Sequence, residues 1–296
     1  MNIHLSHGFK FAEKIWFIYS QRIHKALVHK KANFYLKPND IISHRPTLFG
    51  YHELLIEKLI NRASAEYSDF FLDLGANIGL TTALVGNRFK RIDCVEPNEL
   101  VFNILKTNLA INLNSNNYQC HMIGLVRKDG ILNLLILKNN FGGAFINEDN
   151  RRVIKKAEDY SERLIEVQVV MRSAIDWFKK YFSDLERDQQ KRGIIKIDVE
   201  GYEEIIFESL IATLPKKFEV LVIMENWFED FPINKCCSPH HSLSWSYIRK
   251  TKRMLHSIPF KLLGLSSSYK HELVELTEHS KNPHDITCQI RAKRSG

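Results

Sequence analysis

The chain has 296 residues, enough for one large domain or two small ones, and its 44% hydrophobic content is ample for a core. Five cysteines, an odd number without paired spacing, argue against a secreted disulfide framework, and no apolar run approaches a membrane span. The net charge of +8 comes from 42 basic and 34 acidic residues spread over the whole length, a bias rather than the footprint of a nucleic-acid partner. These features point to a reducing, cytoplasmic setting.

Residues 10–31 place Ala12, Ile15, Trp16, Tyr19, Ile23, Ala26 and Leu27 on one helical face, with Lys10, Lys14, Arg22, Lys25, Lys30 and Lys31 largely elsewhere. Packing of that face on the protein's own core is the favoured reading. Weak contact with an anionic membrane surface, peripheral at its inner face, is the alternative. Pro38-Asn39-Asp40 and Pro46 mark a linker, so residues 1–45 form a helical extension and 46–296 the main domain. A helix over Tyr51 to Ile60 leads into the first strand.

That strand opens the most informative stretch, Phe70-Phe71-Leu72-Asp73-Leu74-Gly75-Ala76-Asn77-Ile78-Gly79-Leu80-Thr81-Thr82. An apolar run, a turn with two glycines and a renewed helical pattern make a strand-turn-helix, where backbone N–H groups and a helix N-terminus can cradle a ligand. Glu96 follows Gly75 by 21 positions, at the end of the apolar run Ile92-Asp93-Cys94-Val95. A carboxylate there can accept hydrogen bonds from ribose hydroxyls. Asn77 stands where a dinucleotide site has its second glycine, and its side chain would crowd a pyrophosphate. A cofactor with a ribose, an amino-acid end and a sulfonium suits the stretch better, with Asp73 near the cationic end. S-adenosyl-L-methionine is therefore expected, held by Asp73, Gly75, Ala76, Asn77, Gly79, Glu96 and Asn98.

Downstream, Pro97 opens a helix through Val101, Ile104, Leu105 and Leu109. Tyr118 to Val126 reads as a third strand, and Gly130 to Leu137 and Leu164 to Met171 as further strands. Asn139-Asn140-Phe141-Gly142-Gly143 reads as a loop, and 147–163 as an exposed charged stretch. Ile194 to Ile197 is a buried strand followed by a helix with Ile205, Ile206, Leu210 and Leu214 inward. Val220 to Met224 is another strand, ending in Glu225-Asn226-Trp227. A helix near 244–257 and strands at 260–264, 272–277 and 285–291 complete the tail. Strands alternating with helices give an α/β fold with a doubly wound, mostly parallel sheet and an N-terminal helical extension.

In such a sheet ligands bind beyond the carboxyl ends of the strands. Asp198, Glu200 and Glu225 fall at such ends and are the candidate proton acceptors or anchors for an acceptor's hydroxyls, with Asp198 first. They also supply oxygens for a divalent ion, but the sequence does not show that they converge, and no metal is assigned. Cys236-Cys237 with His240-His241 crowds four ligands into six residues interrupted by Pro239, which suits a loop better than a zinc site.

Three stretches occur in order: Asp73-Leu74-Gly75-Ala76-Asn77-Ile78-Gly79, then Glu96-Pro97-Asn98, then Ile195-Lys196-Ile197-Asp198-Val199-Glu200-Gly201-Tyr202-Glu203. Together they resemble the signature of the FkbM family of S-adenosylmethionine-dependent methyltransferases over roughly residues 50 to 226. The resemblance implies a class I, Rossmann-like methyltransferase with a seven-stranded sheet. It also implies methylation of a hydroxyl on a small molecule, sugar or glycan, as in natural-product and surface-polysaccharide pathways. A nucleic-acid methyltransferase is the alternative, disfavoured because the fourth strand ends in Asp198-Val199-Glu200-Gly201 and not in an Asn/Asp-Pro-Pro-aromatic clamp. A nicotinamide oxidoreductase is disfavoured by Asn77. A non-catalytic, membrane-associated module using the N-terminal helix is the remaining alternative. Oligomeric state leaves no signal in the sequence.

Overall fold

The computed structural model describes residues 33–36, 42–43, 46, 53–114, 117–138, 140–146, 164–225, 238–252, 269–275 and 285–293. The expected helix at 10–31, the charged stretch 147–163, Asn226-Trp227, Cys236-Cys237 and the strand at 260–264 lie outside the described residues.

In chain order the elements are α1 (Leu54–Ala63), β1 (Phe70–Leu74), α2 (Leu80–Val85), β2 (Arg91–Val95), α3 (Glu99–Asn112), β3 (Tyr118–His121), β4 (Gly124–Val126), β5 (Gly130–Leu137) and β6 (Asn140–Ile146). They continue as β7 (Leu164–Ser173), α4 (Ala174–Arg187), β8 (Arg192–Ile197), α5 (Glu203–Thr213), β9 (Glu219–Glu225), β10 (His241–Lys252), β11 (Tyr269–Glu275) and β12 (Asp285–Ala292). The main sheet runs β11-β10-β12-β9-β8-β1-β2-β3. From β9 to β3 its pairings are parallel, while β12, β10 and β11 close it antiparallel. It is a doubly wound α/β sheet of eight strands, one more than expected.

The strand order reverses at β1, the first strand among the described residues, which has β2 on one side and β8 on the other. Leu74 is level with both Val95 and Ile197. The residues that follow these three strand ends therefore emerge together at one edge. All five residues of β1 are buried, as a central strand covered on both faces requires. Alternation assigns Phe70, Leu72 and Leu74 to the layer of Phe178, Phe182, Phe207 and Leu210, from α4 and α5. Phe71 turns to the opposite layer, with Ile60, Phe89, Ile92, Leu105 and Leu109 from the α1–α3 side.

Four expectations are corrected. The strand read over Tyr118 to Val126 is two: β3 joins the main sheet, and after Met122-Ile123 the chain leaves it as β4 for a second sheet, ordered β4-β7-β5-β6. The stretch read as a glycine loop is mostly strand β6, which pairs with β5; its glycines permit the close approach described below. The helix read near 244–257 is strand at its start: His241 and Trp245 are buried, while Ser242 and Ser244 are exposed, a period of two. Finally, α4 is a helix absent from the sequence reading. Ser173 caps it by accepting the Asp176 N–H at 3.3 Å, and Trp177, Phe178, Tyr181, Phe182 and Leu185 share its inner face. Among the described residues no helix is long and apolar enough to cross a membrane.

Candidate active site

The turn after β1 is threaded between the ends of β2 and β8. Gly75 N–H donates to the Val95 carbonyl at 2.9 Å, and Asp198 N–H donates to the Leu74 carbonyl at 2.9 Å. Gly75 has φ +79°, and a Cβ there would lie 2.7 Å from the Asp198 carbonyl carbon and overlap its oxygen. Only glycine lets the turn after β1 pass so close to the end of β8. Asn77 (φ 51°) and Gly79 (φ 78°) also take the left-handed conformation, and Gly79 precedes α2 as its N-cap.

Asp73, almost wholly buried, accepts the Thr82 hydroxyl on Oδ2 at 2.6 Å. Glu96 accepts the Asn77 N–H on one oxygen (2.9 Å) and the Asn98 N–H on the other (2.8 Å). It thereby ties the β1 turn to the start of α3. Asn98, itself fully buried, caps α3 by accepting the Leu100 N–H at 3.0 Å. On the β8 side the Lys196 ammonium donates to Asp198 at 3.0 Å and stands 3.7 Å from Asp73. The turn beyond contains Glu200 (φ 52°) and Gly201 (φ 114°). Buried Glu203 clamps it by accepting the Val199 and Gly201 N–H groups at 3.0 and 2.9 Å.

One cavity of about 250 Å³ collects these groups. Asp73, Gly75, Ala76, Asn77 and Glu96 line one part of it, and Asp198, Glu200 and Glu225 another. Of the residues expected in the site, Gly79 and Asn98 are not in the cavity wall; they shape the two helix starts behind it. The second sheet supplies the opposite wall through Leu134, the β6 residues Asn140 to Ile146, and Met171.

Two charged residues of the cavity, Lys196 and Glu53, were not among those expected from the sequence. Lys196 was within reach, since a lysine inside an otherwise apolar buried strand needs partners. Glu53, just before α1, carried no signal, because a lone acid ahead of a helix is ordinary. In the structure one oxygen each of Glu53, Asp198 and Glu225 lie within 4.8 Å of one another. A trio so close needs a shared proton or a cation, and the Lys196 ammonium stands beside it.

Burial dominates the electrostatics. It pushes the Glu96 carboxyl to about 7 despite the two N–H donors, and Glu203 to about 7 against its own backbone donors. Glu53 also rises to about 7, through burial and the nearby Asp198, Glu225 and Asp285 charges, against the pull of Lys196. Burial raises Asp73 as well, opposed by Lys196 and Thr82. For Lys196 burial favours the neutral amine, but Asp198, Asp73 and Glu53 outweigh it and hold the ammonium above its ordinary range.

These shifts fix the sign of a pH effect. Glu53, Glu96 and Glu203 each bind a proton more tightly folded than unfolded. Their contribution to stability is full below about pH 4.5 and is lost as the pH rises through about 7. Between pH 8 and pH 6 the cofactor-free protein should gain stability, on the order of 1 kcal/mol per carboxyl, and its thermal midpoint should rise with it. A calorimetric scan that shows a higher midpoint at pH 8 than at pH 6 would contradict these assignments.

The cavity fits S-adenosylmethionine. Oδ1 of Asp73 and Oδ1 of Asn77 are buried acceptors without a hydrogen-bond partner among the described residues, and both side chains belong to the cavity wall. The cofactor's amino and hydroxyl groups are donors of the kind these oxygens need. A cradle set at the switch point of a doubly wound sheet with a closing antiparallel edge is the arrangement of a class I methyltransferase.

The chain matches the methyltransferase FkbM domain over residues 73–249 and belongs to that family. FkbM methyltransferases use S-adenosylmethionine, and it is the cofactor here. The chain is similar to methyltransferase sdnD of Sordaria araneosa, 26% identical over 60% of this chain and 74% of the relative. It is also similar to methyltransferase 1 of Beauveria bassiana, 24% identical over 55% of this chain and 66% of the relative. Among solved structures, an O-methyltransferase from Bacillus cereus in complex with SAH aligns over 93% of this chain and 90% of its own, at 11% identity and a TM-score of 0.39.

Proposed function

We propose that this methyltransferase transfers its methyl group to a hydroxyl of a small molecule, sugar or glycan. The observation that carries the reading is the carboxylate group Asp198, Glu200 and Glu225 in the same cavity as the cofactor cradle. Carboxylates can anchor hydroxyls and take a proton from one. Bound in the cradle, S-adenosylmethionine supplies an electrophilic methyl on its sulfonium. In this reading Asp73, Gly75, Ala76, Asn77 and Glu96 hold it, with Gly79 and Asn98 behind them. The remaining wall is apolar at Leu134, Phe141, Phe145, Ile146 and Met171 and sets the four acids Glu53, Asp198, Glu200 and Glu225 against the single cation Lys196, which favours a neutral hydroxylated acceptor over a phosphate-bearing strand. Much of the rate then comes from holding acceptor and donor in line. The free thiols of Cys94, Cys120 and Cys288 support work in a reducing, cytoplasmic compartment.

The test combines calorimetry with product analysis. S-adenosylmethionine and S-adenosylhomocysteine should bind the wild type at micromolar levels and NAD should not. Asp73→Ala should weaken the sulfur cofactors by about ten- to a hundred-fold, the scale of a lost charged hydrogen bond. Labelled methyl transferred from the cofactor should appear as an ether on a hydroxylated acceptor. Label found only on amines or nucleic acid would overturn the hydroxyl assignment.

A further inference from the structure

We propose that the Glu53 carboxylate, brought into the cavity from ahead of the family-matched segment, receives the proton of the acceptor's hydroxyl. The inference rests on the hydroxyl-methylation reading above.

Its basis is the way the three converging carboxylates are held. Asp198 is fixed twice: its side chain accepts the Lys196 ammonium at 3.0 Å, and its carbonyl is packed against Gly75. It is built as a stationary counter-charge. Glu225 ends β9 directly opposite Asp285 of β12, so it shares its surroundings with a second acid. Glu53 stands on neither strand. It precedes α1, its carbonyl accepts the Glu57 N–H at 3.0 Å, and its half-buried side chain lines the cavity beside the other two. The charged groups acting on it are Lys196, Asp198, Glu225 and Asp285. Burial, with three acids set against the one lysine, raises its carboxyl to about 7, so that it can both take a proton and release it.

The step balances simply. The acceptor's O–H bond breaks, its proton bonds to a Glu53 oxygen, and the freed electron pair forms the new O–CH₃ bond as the S–CH₃ pair leaves with sulfur. Glu53, being partly exposed, then returns the proton to water.

The experiment compares wild type, Glu53→Gln and Glu53→Asp on a hydroxylated acceptor found with labelled methyl donor. It measures kcat/KM from pH 5.5 to 9 and affinity for S-adenosylhomocysteine. The wild type should gain about tenfold per pH unit below about 7 and then level off. Glu53→Gln should lose about a hundredfold or more in kcat, and that limb with it, while S-adenosylhomocysteine affinity stays within about threefold. Glu53→Asp should recover part of the rate and restore a pH limb, which a merely structural role would not do. Glu96 titrates in the same range but remains in Glu53→Gln, so a limb that survives in that variant overturns the proposal. Unchanged kcat in Glu53→Gln overturns it also, and leaves hydroxyl methylation standing. A wild type that methylates no hydroxyl sinks both readings. Turnover abolished by EDTA and restored by Mg²⁺ or Mn²⁺, with cation binding lost in Glu53→Gln, assigns the trio to a metal and overturns the proton role.

Discussion

Gly75→Ala should abolish binding of S-adenosylhomocysteine and lower stability by about 4 kcal/mol or more, a loss reserved for severe local faults. Two causes add. Alanine at φ +79° costs about 1–2 kcal/mol for its left-handed backbone. The larger cause is that its Cβ would overlap the Asp198 carbonyl oxygen, which is backbone and cannot swing aside. Relief requires β1 and β8 to part at the level of Leu74 and Ile197, where the cofactor cradle and the Asp198 turn meet. Gly130→Ala is the control, because a Cβ there meets nothing within 4 Å. Thermal unfolding with calorimetry of both variants checks the pair. A Gly75→Ala protein that binds the cofactor like the wild type would show that the two strand ends are not in contact.

Lys196→Met should be nearly as damaging. The ammonium is buried and holds Asp198 at 3.0 Å and Asp73 at 3.7 Å. Removing it leaves two carboxylates in the interior without their counter-charge, which typically costs about 3–5 kcal/mol. Cofactor affinity should fall as well, since Asp73 would be driven towards its neutral form. The double variant Lys196→Met/Asp198→Asn should recover only the share of the loss that belongs to Asp198, because Asp73 stays buried without its counter-charge. Denaturant titration of the four proteins gives the coupling directly. Additive losses would mean that the ammonium is compensated by something other than these acids.

Much of the cofactor side was legible in the sequence, because glycines and a run of buried apolar residues leave few local alternatives. Gly75, Gly79 and Glu96 sit where a strand-turn-helix requires them, and the parallel order of the sheet follows from the strand-helix alternation. Elements whose identity depends on distant partners were less legible. The start of β10 alternates with a period of two, but apolar residues continuing to 258 imitate a helical face. Strand β6 is glycine-bearing and short, so only its pairing with β5 marks it as a strand. Glu53 enters the site from a point 145 positions before Asp198, and no local pattern encodes that meeting. Lys196 carries a local signal, a lysine inside the buried run Ile194 to Ile197, but its partner Asp73 lies on β1, 123 positions earlier.

The two walls of the cavity come from different sheets, and this divides what can change from what cannot. The cradle is continuous with the main core, so substitutions there disturb the whole domain. Strand β6 is different: among the described residues it pairs as a strand with β5 alone, at the edge of the small sheet. Such a hairpin is an exchangeable cassette. A hairpin taken from a relative could reshape acceptor preference without rebuilding the donor side, provided that one boundary condition is kept. Residue 142 has to stay small, because a Cβ there would press on the ends of the Asn77 and Ile42 side chains and turn the Asn77 amide out of its place in the cradle. That position is the toll gate through which new specificities in this scaffold have to pass.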